Sequence, residues 1–331
     1  MVECLLWGSH RSGGNIMKDL AKRRIPENIR RLRTLLFLAV LLSPSLLFAR
    51  QTLTYTPLHM VGARKVVADS RPMLDFLEER LDLEIELHYE KVNADVVRAF
   101  QQGRIDLAEI GPLPYVALRE LYPQAQALLF FVEPDGSTHY TCALVTAFDG
   151  PESMTEVKKI AHIPLATTQQ LSTCGPLSTG YLLHKHGVDP QTASFEILGN
   201  HEAVALAVIR GEYPLGGIKT HIARRYFSLG LRVLDETPPM PAFALVANRK
   251  TVDEETIDAI AEALLAASRD QRTEWGVARR GFVRAHDDDY RSMRRMLQET
   301  GRRAVDFLLG PSGDDGEQKG GSAADVEKGG R

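Results

Sequence analysis

The sequence predicts an α/β protein of two lobes, each a mainly parallel sheet flanked by helices, joined by two extended crossings. Three observations predict it. Segments of period two, such as Leu83–Tyr89, alternate with segments of helical period, such as Pro72–Leu81. The alternation stops at 140–147 and then restarts. Glu236-Thr-Pro-Pro-Met-Pro241 breaks the chain a second time, just before a further apolar run. A chain of 331 residues, 44% hydrophobic and 25% charged, is ordinary for a globular protein and long enough for two domains.

The first unit opens with a helix over Pro72–Leu81, where Pro fits a first turn because no hydrogen bond is lost there. A half-buried strand follows at Leu83–Tyr89. Asn93 is placed to cap a helix over Ala94–Gln102, with Val96, Val97 and Phe100 on one face and Gly103 as its stop. Then come a strand at Ile105–Ile110, a helix at Leu113–Leu121 and a strand at Ala127–Val132. The second unit has helices at Leu177–His186 and Glu202–Arg210 and strands at Ser194–Leu198 and Tyr213–Ile218. A strand at Ala242–Ala247 and helices at Asp253–Ser268 and 288–309 complete the body. Such β-α-β order places ligands at the C-terminal ends of the strands.

The ends read differently. Arg30-Arg31-Leu32-Arg33, an apolar run from Thr34 broken by Pro44, and Ala49 have the order of an export signal cut after Ala49, with Met17 as an alternative start. An uncleaved anchor is the alternative, although the run of 16 residues falls short of the roughly 20 that span a bilayer. Residues 311–331 are Gly-rich, charged and too poor in large apolar residues to order themselves. This gives a signal region at 1–49, one lobe from 50–142 and 241–310, the other from 143–240, and a disordered tail.

Charge excludes one class of function. Residues 1–49 carry eight basic and three acidic side chains, and the remaining 32 basic and 40 acidic side chains give the body a net charge of −8. An acidic body lacks the footprint needed for nucleic acid. Three cysteines form neither a disulfide framework nor a zinc site, and no metal or cofactor is expected.

The richest segment is Ser172-Thr173-Cys174-Gly175-Pro176, ahead of the helix at Leu177. Hydroxyls and backbone N–H groups at a helix start suit an anion, although a simple capping role serves equally well. Gly175-x4-Gly180 lacks the Lys-Ser/Thr of a phosphate loop, and no Gly-x-Ser-x-Gly elbow is present. His201, opening a helix after Gly199-Asn200, can donate to an anion or simply stand at a helix end. His184-x-His186 has no acid or Cys to complete a metal site, and His286-Asp-Asp-Asp289 is a helix start with acids in its first turn. On the crossing strand, alternation puts Tyr140 and Cys142 on one face.

In their order, these segments resemble the phosphonate, phosphite and phosphate substrate-binding proteins of ABC importers, two-lobed periplasmic proteins of the type II architecture. The resemblance runs from Thr52 to Leu308. Its landmarks are Pro72–Leu81 with Leu83–Tyr89, Gly103-Arg-Ile-Asp106 through Gly111-Pro-Leu-Pro-Tyr115, Gly136–Tyr140, Ser172-Thr-Cys-Gly175, the His201-Glu-Ala helix and Met240-Pro241. It implies a soluble extracytoplasmic protein, monomeric and not an enzyme. This protein captures a phosphate-like oxyanion (phosphite, phosphate or an alkylphosphonate) and delivers it to an inner-membrane permease. A ligand-sensing partner of a membrane histidine kinase is the alternative; an enzyme using Ser172 or Cys174 as nucleophile lacks a base and orienter. The implied ligand set is Tyr140, Ser172, Thr173, Cys174 and His201, with Gly175 at the end of the loop. Asn93 stands where some relatives have Tyr. His221 and Phe243 stand where aminoalkyl-phosphonate binders place acids, so a small oxyanion should bind better than an ammonium-bearing one. The pocket is expected to offer neutral donors and one His rather than Lys/Arg clusters. Cys142 and Cys174 are expected as free thiols, because a bond from the hinge strand to the far lobe would oppose opening.

Overall fold

The computed structural model of the chain describes residues 50–58 and 63–308; the signal region at 1–49 and the tail at 311–331 lie outside the described residues. Strands β1 (Gln51–Thr56), β2 (Leu83–Leu87), β3 (Leu107–Ile110) and β4 (Ala125–Phe131) alternate with helices at Ala63–Leu81, Asn93–Gln101 and Pro112–Leu121. A first crossing follows as β5 (His139–Tyr140) and β6 (Cys142–Ala147). Strands β7 (Ile163–Thr167), β8 (Ala193–Ile197), β9 (Leu215–Lys219) and β10 (Leu231–Glu236) precede the return through β11 (Met240–Pro241) to β12 (Ala244–Asn248) and β13 (Phe282–Arg284).

These strands form two sheets, ordered β13-β4-β12-β3-β1-β2 and β10-β6-β9-β7-β8. Strands β1, β2 and β3 are mutually parallel, as are β7, β8 and β9. The strands that follow each crossing, β6 and β12, insert antiparallel to their neighbours. Parallel order therefore holds except where a crossing delivers its strand and at the edge, where β13 pairs antiparallel with β4. The crossings pair with each other as β5 and β11, Met240 against Tyr140, so the connection between the lobes is a two-stranded ribbon.

Local chemistry accounts for the elements. In β2, Leu83 and Ile85 are buried while Glu84 and Glu86 face solvent, which is the period-two pattern. The helix before it starts nine residues earlier than expected, and Pro72 lies inside it. Its buried stripe, Val66, Met73, Leu74 and Leu77, packs against the sheet through both halves, and Lys65–Asp69 and Arg71–Asp75 pairs line the outside. That burial outweighs one lost backbone bond. The last predicted helix is shorter: Arg291–Glu299 ends at Thr300-Gly301, where Gly301 has φ +64°, and only a short turn at Ala304–Phe307 follows. A glycine in the left-handed region is a strong stop.

Core residues cover both faces of the six-stranded sheet. Leu53, Leu77, Ile85 and Leu264 lie on one side; Phe100, Leu113, Phe130 and Met293 lie on the other. The second core also holds Tyr140, Cys142, Cys174 and Leu177, and so extends to the floor of the cleft. Among the described residues no helix is long and apolar enough to cross a membrane.

Candidate functional site

The chain leaves the C-terminal end of β7 as Thr168-Gln169-Gln170-Leu171 and enters a wide helical turn, Thr173–Leu177, before the helix Ser178–Lys185. Gly175 is required at the bend. A Cβ there would stand 2.7 Å from the Gln169 carbonyl oxygen. Gly217 on β9 plays the complementary part, since a Cβ would meet the Cys174 carbonyl oxygen at 2.8 Å. The loop therefore lies flat on the sheet. The Thr179 hydroxyl donates to the Gly175 carbonyl at 2.8 Å and holds the turn. The Ser172 and Gly175 N–H groups donate to the Gln169 and Ser172 carbonyls at 3.1 and 3.0 Å, which leaves the Thr173 and Cys174 N–H groups at the start of the turn.

Cys142 and Cys174 form a disulfide, with Cα atoms 5.1 Å apart, which corrects the expectation of free thiols. That expectation placed the bond across the hinge. Cys142 instead pairs with Lys219 in the β6–β9 ladder, and the Cys174 turn packs on β9. Both cysteines belong to the five-stranded layer. The bond staples the loop to its own sheet and does not bridge the lobes.

A small cavity of about 50 Å³ opens in front of this loop. By the measure of about 10–15 Å³ per water-sized sphere, it holds a ligand of only a few heavy atoms. Its walls are Leu58, Asn93, Gly111 and Pro114 on one side and Thr168, Gln169, Ser172, Thr173, Cys174, Gly199, Asn200, His201 and Lys219 on the other; Tyr140 and Phe243 complete it. Of the residues singled out from the sequence, Asn93, Tyr140, Ser172, Thr173, Cys174 and His201 come together here. Gly175 and His221 do not line it. Gly175 turns the loop from behind, and His221 is exposed on the short helix Thr220–Arg224.

Several contacts close the cleft. Asn93 does not cap its helix, contrary to expectation. Its amide donates to the Leu171 carbonyl at 2.8 Å, and its backbone N–H donates to Gln169 Oε1 at 3.1 Å. The Leu113 N–H donates to Thr173 Oγ1 at 3.0 Å. Tyr140 hydrogen-bonds the same hydroxyl, and burial raises its pKa, so the phenol remains neutral. Its ring stacks on Phe243 with centroids 5.5 Å apart.

His201 begins the helix His201–Ile209, capped by the Asn200 side chain, which accepts from the Ala203 N–H at 2.9 Å. The Lys219 backbone N–H donates to His201 Nδ1 at 3.2 Å. With Nδ1 an acceptor, the ring proton sits on Nε2. Burial, and then the Lys219 charge, push the imidazole pKa down to about 3. The ring is a neutral donor. Glu202 is exposed and hydrogen-bonds Tyr226, away from the cavity.

Two groups escaped the sequence reading. The Thr168 hydroxyl is buried, lines the cavity and has no hydrogen-bond partner among the described residues. Lys219 is 5% exposed; its Nζ lies 2.7 and 2.8 Å from the two Glu133 carboxylate oxygens and over the rings of Tyr140 and Phe243. Burial lowers its pKa and Glu133 opposes the shift. A single cation, not a cluster, therefore joins the neutral donors and the His expected here. The signal was available: a lysine closing the apolar strand Leu215-Gly-Gly-Ile sits at a C-terminal strand end, where ligands bind.

The chemistry on offer is capture of an anion by oriented donors. Cys174 Sγ is in a disulfide and presents no thiolate, and His201 Nδ1 is occupied by a backbone donor, so these two do not form a nucleophile and base. Asp235 does lie beside His186, at 2.7 Å, which the sequence reading of that pair overlooked. Even so, among the described residues no group of three or more metal-ligating side chains occurs.

Residues 55–290 match the family described as ABC transporter, phosphonate, periplasmic substrate-binding protein. Solved structures share the fold. A binding-protein component of an ABC phosphonate transporter from Pseudomonas aeruginosa is similar with a TM-score of 0.65 at 17% identity, over 78% of this chain and 89% of that one. PhnD1 from Prochlorococcus marinus, solved in complex with methylphosphonate, has a TM-score of 0.66 at 16% identity, over 76% and 99%. A Xanthomonas citri protein bound to ATP has a TM-score of 0.61 at 17% identity, over 78% and 98%. With a type II two-lobed fold and a family match across most of its length, the chain belongs to the periplasmic substrate-binding proteins of phosphonate ABC transporters.

Proposed function

We propose that the protein captures a small phosphate-like oxyanion (phosphite, phosphate or a simple alkylphosphonate) between its lobes and hands it to an inner-membrane permease. In this reading the lobes are 50–141 with 241–310 and 142–240, the boundary moved by one residue from the sequence expectation of 142/143 because Cys142 pairs within the five-stranded sheet; they hinge at the β5–β11 ribbon, and residues 1–49 are an export signal cut after Ala49. N-terminal sequencing of the exported protein should read Arg50 first; a membrane-retained 34–49 segment would refute the cleavage.

One observation carries the ligand reading. A cavity of about 50 Å³ gathers the buried Thr168 hydroxyl, which lacks a partner, the Ser172–Cys174 turn and a neutral His201. Hydrogen bonds from neutral donors to a charged oxygen are worth about 1.5–3 kcal/mol each. Together they hold a desolvated anion without locking it in place. Among the described residues no acid lines the cavity to receive a ligand ammonium, and Lys219 repels one.

The test is calorimetry and thermal unfolding with phosphite, phosphate, methylphosphonate, sulfate and 2-aminoethylphosphonate. A bound oxyanion at 100 times its Kd should add about 2.7 kcal/mol to stability. Methylphosphonate should bind at least about tenfold more tightly than the amino compound, a gap of about 1.4 kcal/mol. Preference for 2-aminoethylphosphonate would show a cation site elsewhere in the cleft. No response to any of the oxyanions would end the reading.

A further inference from the structure

We propose that Lys219 is the specificity determinant that makes the cleft count ligand charge, selecting a doubly ionised oxyanion over a singly charged one of the same shape. This rests on the oxyanion-capture reading above and names what that site discriminates.

Lys219 ends β9 at the cavity wall, with its side chain 6% exposed. Its ammonium carries three donors. The two oxygens of Glu133 engage it at 2.7 and 2.8 Å, and no other protein acceptor holds it among the described residues. Glu133 is not part of the cavity wall. The ion pair is thus a dipole whose positive end meets the ligand and whose negative end does not. The ring faces of Tyr140 and Phe243, at 4.3 and 4.6 Å from Nζ, fix where the charge stands and shield it from water.

The pairing also explains how a lysine stays charged there. Burial drives the ammonium towards its neutral form, and the adjacent carboxylate opposes that shift and favours the charged one. His201 contributes no charge, being held neutral. The formal positive charge on the wall is therefore Lys219 alone among the lining residues. The other donors, Thr168, Ser172 and backbone N–H groups, bind a tetrahedral oxyanion whatever its charge. A second negative charge on the ligand is felt by Lys219.

Methylphosphonate and methanesulfonate separate these contributions, because they share shape and oxygen count and differ in the charge they reach. Binding is measured at a pH where methylphosphonate is dianionic, for the wild type and for Lys219→Met/Glu133→Gln, a pair of substitutions that leaves no buried carboxylate unpartnered. The wild type should prefer methylphosphonate by at least about tenfold, and the variant should lose about tenfold of that ratio while still binding both. If Lys219→Met/Glu133→Gln does not fold, Lys219→Gln/Glu133→Gln keeps a neutral hydrogen bond in the same place and is read in the same way. A wild type without preference, or a ratio unchanged in the variant, overturns the assignment while leaving oxyanion capture standing. A wild type that binds neither ion overturns both.

Discussion

Thr168→Val should change the empty and the loaded protein in opposite directions. In the ligand-free cleft the Thr168 hydroxyl is buried without a hydrogen-bond partner among the described residues. A buried hydroxyl in that state costs about 1–3 kcal/mol. Valine keeps the shape and removes the oxygen, so the ligand-free variant should gain about 1 kcal/mol. For a body of this size that raises the Tm by about 2–4 °C. With ligand present the same hydroxyl donates to a charged oxygen, and its loss should weaken binding by about 1.5–3 kcal/mol, or roughly 10- to 150-fold.

The two effects cross. At ligand equal to 100 times the wild-type Kd, the wild type gains about 2.7 kcal/mol, whereas a variant binding 30-fold more weakly gains only about 0.9 kcal/mol. The wild type then melts above the variant, reversing the ligand-free order. Differential scanning fluorimetry with and without methylphosphonate reads the crossing, and calorimetry supplies the two Kd values. A variant less stable when empty and equal in affinity would mean that the hydroxyl serves the fold and never meets the ligand.

Other consequences are as direct. A chain spanning residues 50–331, denatured without reductant, should show no titratable thiol, and reduction should cost up to about 3.7 kcal/mol for a loop closed across 32 residues; two free thiols would remove the staple from the account. His201 should show no imidazole titration between pH 5 and 8 in the ligand-free protein, because its pKa lies near 3. In the unfolded chain the ring takes up a proton at about pH 6.5. Between roughly pH 6.5 and 3 the unfolded state thus binds the extra proton, and stability falls as pH falls by up to about 1.4 kcal/mol per unit from this group. His201→Gln should flatten that slope, and an unchanged slope in its denaturation curves would place the acid sensitivity elsewhere.

The alternation of β2 and the helices around it was legible because one buried face imposes one period, as at Leu83 and Ile85 or Val96, Val97 and Phe100. The errors arise where distant packing overrules a local signal. Pro72 reads as a helix start until Val66 is seen buried beneath it. Asn93 reads as a cap until the Leu171 carbonyl, 78 residues on, is seen to take its amide. The disulfide is of the same kind. Which lobe Cys142 joins depends on its register opposite Lys219, and strand pairing across 77 residues leaves no local trace. In the site, the Ser172–Cys174 turn and His201 were visible because hydroxyls and a histidine at helix starts are local patterns. Thr168 lay at the end of a strand whose limits the sequence did not mark, and Lys219 looked like the polar edge of an apolar run.

The two features that the sequence concealed serve one physical end. A binding protein must hold an anion out of water and still release it, so the cost of organising the site has to be met before the ligand arrives. The Cys142–Cys174 bond ties the Ser172–Cys174 turn to β6 during folding, so the turn has little freedom left to lose on binding. Glu133 does the same for charge. It keeps Lys219 ionised and satisfied in the empty cleft, and the arriving anion meets a cation already stripped of water. An unpaired lysine would shed its proton on burial or hold the anion too tightly to release it. A pocket of hydroxyls alone would bind singly and doubly charged ions with little distinction. A cation half neutralised by a carboxylate set back from the wall lies between these extremes, because the carboxylate holds the ammonium charged while offsetting part of its pull on the ligand.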